Sequence, residues 1–174
     1  KMSKSLGNFF TIRDVIEKYH PRILRYFLMS THYRAPLNFS DAVLDQAKAS
    51  LARLWDFIGN LESYNEDDVK ENKTVDVLIE TAKKGFMESM DDDFDISGAL
   101  GFVFDLVREM NKFMEKMIIA TADTIKVLDF LKNIDNVLAV LDKGEEKISE
   151  DIKKLIEERE NARKLKDFDK ADKI

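Results

Sequence analysis

The chain of 174 residues contains no cysteine, and this absence removes two kinds of chemistry. Without thiols there can be neither a disulfide framework nor a thiolate metal site. The two histidines, His20 and His32, stand twelve positions apart and could not assemble a zinc site without help from carboxylates. We therefore predict no metal site in this chain.

Glycine and proline are also scarce, with six and two residues respectively. So few chain-breaking residues leave little room for the turns of a sheet-rich fold, and an all-α fold is the default expectation. No uninterrupted apolar run reaches the roughly 18 residues that could span a bilayer, and nothing resembles a signal peptide. Since 44% of the residues are hydrophobic, there is material for one core or two small modules. We expect a cytoplasmic protein with no membrane partner.

Charge is distributed unevenly along a chain whose formal net charge is −6. The first 60 residues carry nine Lys or Arg against five Asp or Glu, a net charge of +4, and the remaining 114 residues carry −10. A nucleic-acid binder usually presents a basic surface. We therefore expect phosphate-facing surfaces only in the N-terminal third and in the charged tail, and nonspecific coating of RNA is disfavoured.

Apolar residues recur at three- and four-residue spacing through most of the chain, which predicts amphipathic helices. Thr11 should cap the first helix, and Pro21 should end it and open the second. Ser40 or Asp41 should start the third, and Gly144 should terminate the last helix of the series. The predicted spans are 11–20, 21–31, 41–62, 75–90, 96–119 and 123–141, followed by a charged helix from 149 onward. Long helices joined by short links predict an all-α antiparallel bundle.

An acidic run precedes the helix that is predicted to begin at residue 96. Hard cations bind carboxylates, but consecutive side chains such as Asp91, Asp92 and Asp93 diverge in direction. A negative charge at a helix N-terminus is favoured by the helix dipole. We therefore predict capping by Asp93 or Asp95 rather than metal binding.

The first five residues are the segment whose side chains most clearly indicate a chemical role. Lys1 and Lys4 stand three positions apart, so both ammonium groups could reach one polyphosphate. Ser3 and Ser5 add hydroxyl donors, and Gly7 would allow the backbone to approach a ligand closely. By composition alone, the two lysines could equally belong to a solvated loop.

The order Lys1-Met2-Ser3-Lys4-Ser5 resembles the nucleotide-binding signature loop of class I aminoacyl-tRNA synthetases. The residues that follow it narrow the resemblance to the cysteine–tRNA ligase family. The segments concerned are 1–9, 24–34, 36–40 and 90–94, together with Arg159, Ala162, Arg163, Lys166, Asp167, Phe168, Ala171 and Asp172. The resemblance covers essentially the whole chain but only the downstream part of such an enzyme.

The resemblance implies three regions. Residues 1–40 would comprise the signature loop and a stem-contact region, residues 41–142 a DALR-type bundle that holds the anticodon arm of tRNA, and residues 143–174 a truncated, charged helical tail. In the family, the loop closes over ATP while cysteine is activated. The resemblance therefore implies that Lys4 and Lys1 stabilise the transition state and that residues 1–5, Met2 included, bind ATP.

Contacts with tRNA are expected from two groups of residues that the resemblance singles out. These residues are Arg25, His32, Tyr33, Arg34, Arg159, Arg163 and Lys166. His32 and Tyr33 could instead only pack and hydrogen-bond at a helix end. The basic residues of the tail could instead form ordinary ion pairs on a solvated helix.

Other expected parts of the family are missing from this chain. There is no His-Ile-Gly-His motif, no alternating strand and helix pattern, and no Cys or Cys/His zinc site. The resemblance implies that zinc and the cysteine substrate are bound by an upstream domain, so the chain alone should not aminoacylate tRNA(Cys). We expect a monomer that is a truncated or split part of such an enzyme. A related ligase that joins cysteine to a sugar amine, and a non-enzymatic helical interaction module, remain alternatives.

Overall fold

The computed structural model describes residues 11–144 together with Glu158, Arg159 and Arg163. Within these residues the chain is helical and contains no strand, which confirms the predicted all-α fold. The chain divides into two compact units, residues 1–142 and 143–174, and the helices below belong to the first. They are α1 (Ile12–Ile16), α2 (Pro21–Met29), α3 (Asp41–Ser63), α4 (Lys73–Asp91), α5 (Ile96–Glu115) and α6 (Thr121–Leu138).

The first two helices begin where the sequence predicts. Thr11 and Asp14 form a capping box, in which the Asp14 amide donates to the Thr11 hydroxyl at 3.2 Å and the Thr11 amide donates to the Asp14 carboxylate at 2.8 Å. Pro21 opens α2, and the preceding His20 accepts a hydrogen bond from the Arg22 amide through Nδ1 at 3.3 Å. These local contacts set the start of each helix.

The long helices α3 to α6 form the bundle and share one hydrophobic core. Their polar caps are Ser40 for α3, Asn72 for α4 and Asp95 for α5. Large core side chains that are almost completely buried include Leu44, Leu51, Leu54, Phe57, Leu61, Val75, Val103, Leu106, Met110 and Leu138. Burial of these side chains supplies the main driving force for packing the helices together.

The turn between α4 and α5 is short and reverses the chain. Asp93 and Phe94 both lie in the left-handed region, with φ of 53° and 57°. The Asp95 amide donates to the Ser89 carbonyl at 3.0 Å, and the Asp95 side chain accepts from the Gly98 amide at 3.0 Å. Asp95 therefore caps α5. The sequence analysis predicted that either Asp93 or Asp95 would do so.

A buried carboxylate joins three segments at the other end of these helices. Asp123, in the first turn of α6, is fully buried. Its Oδ2 accepts from the Asn72 amide at 2.8 Å and from the Ala120 amide at 3.1 Å, so it links the start of α4 to the turn before α6. Its Oδ1 makes no hydrogen bond within the described part of the chain, and the Lys126 ammonium lies 3.7 Å from it.

Lys126 completes this cluster. Its Nζ lies 2.8 Å from a carboxylate oxygen of Glu71 and 2.8 Å from one of Asp76. These hydrogen bonds, with Asp76 first and Glu71 second, raise the pKa of Lys126 above its usual value. The segment between α3 and α4 is thus fixed at its end to both α4 and α6.

The end of α6 differs from the prediction. The helix was expected to continue to residue 141 and to stop at Gly144, but it ends at Leu138, and Ala139 adopts φ of 53°. The Asp135 carboxylate explains this, since it accepts hydrogen bonds from the amides of Val140 and Leu141, both at 2.8 Å. A side chain inside the helix thereby satisfies the amides that follow it.

The three- and four-residue spacing of apolar residues accounts for most of the buried side chains of the helices, but not for all of them. Tyr26 of α2 is buried, whereas the apolar side chain of Leu28 is half exposed. Other large apolar residues that are exposed include Ile12, Ile16, Val77, Met87, Met117 and Ile125. No helix in the described ranges is long and apolar enough to cross a membrane.

Gly85 makes the close contact between α4 and α5 possible, and this gives a testable pair of variants. A Cβ at position 85 would collide with the ring of Phe102, whereas a Cβ at Gly59 in α3 would meet nothing within 4 Å. We expect Gly85→Ala to lower the free energy of unfolding by about 1 to 3 kcal/mol because the ring must move. Gly59→Ala should raise it by up to about 1 kcal/mol through helix propensity.

Urea denaturation followed by circular dichroism measures both free energies. Equal or greater stability of the Gly85→Ala variant would contradict the close packing of α4 on α5.

Candidate nucleic-acid interface

The structure describes only some of the residues that the sequence assigns to function. The loop formed by residues 1–5 and the tail residue Lys166 lie outside the described residues. Arg159 and Arg163 are each helical and exposed, and they stand four positions apart in the sequence of the second unit. The remaining candidates, Arg25 and residues 32–34, belong to the first unit.

Residues 32–34 follow α2 and meet the α4–α5 turn. The Tyr33 hydroxyl donates to Oδ1 of Asp93 at 2.7 Å, and Arg34 Nη2 donates to the same oxygen at 3.2 Å. His32 Nε2 lies 3.7 Å from Oδ2 of Asp93. We call His32, Tyr33, Arg34 and Asp93 the Asp93 cluster. It connects the segment after α2 to a turn about 60 residues further along the chain.

Ring and cation contacts hold the side chains of the Asp93 cluster in one arrangement. The rings of His32 and Tyr33 stack with centroids 4.9 Å apart and an angle of 21° between their planes. The Arg34 guanidinium carbon lies 5.3 Å from the centre of the Tyr33 ring, and its Nε donates to the Tyr33 hydroxyl at 2.9 Å. His32 Nδ1 accepts from the Arg34 amide at 3.3 Å, which fixes the imidazole.

The chemistry of the Asp93 cluster suits an aromatic contact more than a purely ionic one. Tyr33 is 62% exposed, so the part of its ring that His32 and Arg34 do not cover is accessible to a ligand. Arg34 is also exposed and can donate to a phosphate or a base edge. The neighbouring Asp91 and Asp92 are exposed carboxylates, and their charge disfavours a phosphate directly above the turn.

Arg25 is used within the fold. Its Nε donates to the Leu138 carbonyl at 2.6 Å and its Nη2 to the Val137 carbonyl at 3.3 Å. These carbonyls belong to the last turn of α6, where a cation is favoured by the helix dipole and by unpaired acceptors. Arg25 therefore joins α2 to the end of α6.

A second candidate surface lies between α3 and α5 and was missed by the sequence analysis. It is a groove of about 540 Å³ whose polar walls carry Arg53 and Asn60 from α3, and Arg108 and Asn111 from α5. Arg108 is paired with Asp105 at 3.0 Å, whereas Arg53 makes no hydrogen bond or ion pair with any described residue. The groove is lined by Arg53, Asp56, Phe57, Asn60, Phe104, Val107, Arg108 and Asn111.

The signal for this groove was present in the sequence but not distinctive. Residues seven positions apart, such as Arg53 and Asn60, share a helix face, as do Arg108 and Asn111 three positions apart. Guanidinium and amide groups on facing helices suit the sugar and phosphate groups of a nucleic acid. Only the packing of α3 near α5 brings the two pairs together.

The described residues offer no metal centre of their own. No group of three or more potential ligands comes together among them. Each histidine uses Nδ1 to accept a backbone hydrogen bond, His20 from Arg22 and His32 from Arg34. Asp93 serves the Asp93 cluster rather than capping α5.

The hydrogen bond with Asp93 raises the pKa of Tyr33 above its usual value of 10.0, while the bond from Arg34 partly opposes this. We expect Asp93→Asn to lower the Tyr33 pKa. Because the folded chain holds this proton more tightly than the unfolded chain, the contribution to stability is complete below pH 10 or so and is lost as pH rises through the folded pKa.

Nuclear magnetic resonance titration of ring-labelled tyrosine measures this pKa directly. Tyr19 provides a control, since burial and Asp45 raise its pKa independently of Asp93. An unchanged Tyr33 pKa in the Asp93→Asn variant would contradict the hydrogen bond.

Comparisons with known proteins match both ends of this unit. The family model described as "tRNA synthetases class I (C) catalytic domain" matches residues 1–49, and the DALR domain model matches residues 85–142. The first match includes the segment 32–34, and the second includes the α4–α5 turn with Asp93. The Asp93 cluster therefore connects the two matched regions.

Two curated relatives match the chain along its whole length. The cysteine–tRNA ligase of Caldicellulosiruptor saccharolyticus is 41% identical and that of Acinetobacter baumannii is 39% identical, in each case over 100% of this chain. The chain spans 38% of the length of each of these relatives. The chain belongs to the cysteine–tRNA ligase family, and it corresponds to the C-terminal part of those proteins.

Proposed function

We propose that this chain is the tRNA-binding part of a ligase that activates cysteine with ATP and transfers it to tRNA(Cys). In this reaction the cysteine carboxylate attacks the α-phosphate of ATP, pyrophosphate leaves, and the activated cysteine passes to the tRNA. The observation that carries the proposal is the match to cysteine–tRNA ligases over all 174 residues. The upstream part present in those relatives would supply the catalytic sheet, and this chain alone would be inactive.

The role proposed for the N-terminal loop is electrostatic. Lys4 would place its ammonium on the phosphates of ATP and stabilise the charge that develops as pyrophosphate leaves, with help from Lys1. Ser3 and Ser5 would donate hydrogen bonds and Met2 would contribute backbone contacts within the loop. These five residues form the proposed ATP site of this chain.

The role proposed for the helical unit is to bind tRNA. His32, Tyr33 and Arg34 would contact the nucleic acid with an aromatic face and a cation, and the α3–α5 groove would offer Arg53 and amide groups to its backbone. In the tail, Arg159, Arg163 and Lys166 are proposed phosphate contacts. For Arg25, the two hydrogen bonds to α6 support a positioning role in place of the direct contact that the resemblance implied.

Zinc is proposed only for the upstream part of the complete enzyme. The chain has no cysteine, and both histidines are engaged through Nδ1, so the described residues do not fit this metal. We further propose that the protein acts in the cytoplasm as a monomer.

The match to the DALR domain favours tRNA as substrate over a sugar amine. The α3–α5 groove carries Arg53 and the amide groups of Asn60 and Asn111, which suit a nucleic-acid backbone better than a small sugar amine. The helical bundle therefore supports the assignment to tRNA(Cys).

The role of Lys4 is tested in a protein that also contains the upstream part. We expect Lys4→Ala to slow cysteine-dependent exchange of pyrophosphate with ATP by roughly 10²- to 10³-fold, because a positioned charge at the reacting phosphates is removed. Lys84→Ala is the matched control, since the Lys84 ammonium is exposed and, among the residues that the structure describes, pairs with Glu88 on the same helix. An undiminished rate in the Lys4→Ala variant would overturn the assignment of the loop.

Binding of tRNA is tested with this chain and a transcript of tRNA(Cys) at several salt concentrations. We expect Arg34→Ala and Arg53→Ala each to weaken binding roughly tenfold and to reduce the slope of log K against log salt by about 1. Lys84→Ala should leave both quantities unchanged. If the unchanged chain binds an unrelated RNA hairpin as tightly as tRNA(Cys), specific recognition by this part is excluded.

A further inference from the structure

The four residues that follow α6 are held on one path although they form no helix. We call residues 139–142 the exit segment, because the chain passes through it from α6 to the second unit. The carboxylate of Asp135, in the last turn of α6, accepts at Oδ1 from the amides of Val140 and Leu141, both at 2.8 Å. Its Oδ2 accepts from the amide of Asp142 at 3.2 Å. One carboxylate therefore binds three consecutive amides of the exit segment.

Two further helices also hold the exit segment. Trp55 of α3 donates from Nε1 to the Val140 carbonyl at 2.9 Å, and Arg22 of α2 pairs with Asp142 at 3.0 Å. The side chains of Val140 and Leu141 are buried. A helix end needs only local partners for its unpaired backbone groups, so the contacts from α2 and α3 exceed what ending α6 requires. Connecting segments are usually the more mobile parts of a chain, and this one is fixed through both its backbone and its side chains.

The second unit, residues 143–174, follows the exit segment directly and has no excess of positive charge. It contains ten Lys or Arg and ten Asp or Glu, so its formal net charge is zero. Net charge therefore does little to attract this unit to an RNA, and its basic side chains must be brought to the phosphates by the chain that carries them. A tethered group binds according to its effective concentration at the target, which falls as the tether gains freedom.

We propose that Asp135 is a positioning residue for tRNA binding. Together with Trp55 it fixes the exit segment, so that the second unit starts from one point and in one direction and pays less conformational entropy when it binds. The Asp135 carboxylate touches no RNA in this role and acts through the basic residues of the tail. The role assigned to Asp135 rests on the proposed contacts of the tail with tRNA, which the same experiment tests separately.

Three single variants of the 174-residue chain isolate the exit segment. Asp135→Ala removes all three hydrogen bonds to its amides. Asp129→Ala is the matched control, since Asp129 carries the same charge on the same helix, is exposed, and makes no hydrogen bond or ion pair with residues 11–144. Trp55→Phe keeps an aromatic ring on α3 but removes the N–H that donates to Val140.

Each single variant is combined with a tail variant in which Arg159, Arg163 and Lys166 are all replaced by alanine, and binding of a tRNA(Cys) transcript is titrated. Relative to Asp129→Ala, we expect Asp135→Ala to weaken binding by roughly three- to tenfold when the tail is unchanged. In the tail variant the same change should weaken binding by less than about twofold, because the contacts through which it acts are gone. A loss of folded protein alone would weaken binding equally with either tail, and circular dichroism measures that loss.

The fluorescence of Trp55 reports on the exit segment directly, since it is the single tryptophan of the chain. We expect Asp135→Ala to move its emission maximum to longer wavelength, because the indole N–H exchanges the Val140 carbonyl for water. Asp129→Ala should leave the emission unchanged. An unchanged emission in the Asp135→Ala variant would show that this carboxylate does not hold the exit segment, and it would overturn the proposal.

The titrations separate failure of this role from failure of the proposed tRNA contacts. If the tail variant binds weakly but Asp135→Ala has no effect, or has the same effect with either tail, the role of Asp135 is overturned and the tail contacts stand. If the tail variant binds as tightly as the unchanged chain, the tail contacts fail and the role of Asp135 fails with them. Should Asp135→Ala not fold, Trp55→Phe enters the same comparison and is expected to show the same dependence on the tail.

Discussion

The buried carboxylate of Asp123 is the interaction on which the arrangement of the bundle depends most. It accepts hydrogen bonds from the amides of Asn72 and Ala120, so the start of α4 and the turn before α6 are held at one point. The Lys126 ammonium lies 3.7 Å from the other oxygen of Asp123, and at the surface it also pairs with Glu71 and Asp76. A buried carboxylate is costly unless it is paired and hydrogen-bonded, and here two amides donate to one oxygen while the Lys126 ammonium lies near the other. Helix α5 follows from α4 through a turn of four residues, so the position of α4 also determines that of α5.

The sequence predicts those features of the fold that depend on neighbouring residues. Thr11, Pro21 and Ser40 begin helices as expected because a cap acts within one helical turn. Features that depend on distant residues were missed or wrong. Asp123 was not singled out because its amide partners include one 51 positions away. The end of α6 was misplaced because Gly144 was a plausible terminator, and the carboxylate of Asp135 ends the helix earlier.

The candidate site follows the same division. The signature at residues 1–5 and the family were recognisable from the order of the residues alone, since recognising a motif requires no knowledge of tertiary contacts. The Asp93 cluster was predicted only in part. The sequence analysis selected His32, Tyr33 and Arg34, but their common partner, Asp93, lies about 60 residues away along the chain. Arg25 shows the opposite case. The resemblance implied a tRNA contact for Arg25, and in the structure its guanidinium donates to carbonyls of α6 that lie more than 100 positions away in the sequence. Sequence reveals which residues carry suitable chemistry, and packing decides how that chemistry is used.

The contacts of α2 with the end of α6 have a consequence for how such proteins can recombine. Arg25 binds the carbonyls of Val137 and Leu138, and Arg22 pairs with Asp142 at 3.0 Å. Both arginines lie in the region matched by the catalytic-domain model, and their partners lie in the region matched by the DALR model. A chimera of two relatives with its crossover between α2 and α6 would keep the contacts of Arg25 wherever the second parent ends α6 at the same residue, because the acceptors are backbone carbonyls. It would keep the contact of Arg22 only where that parent carries a carboxylate at position 142. Exchange between relatives is therefore constrained at this junction by the length of α6 and by one side chain, although more than 100 residues separate the two segments.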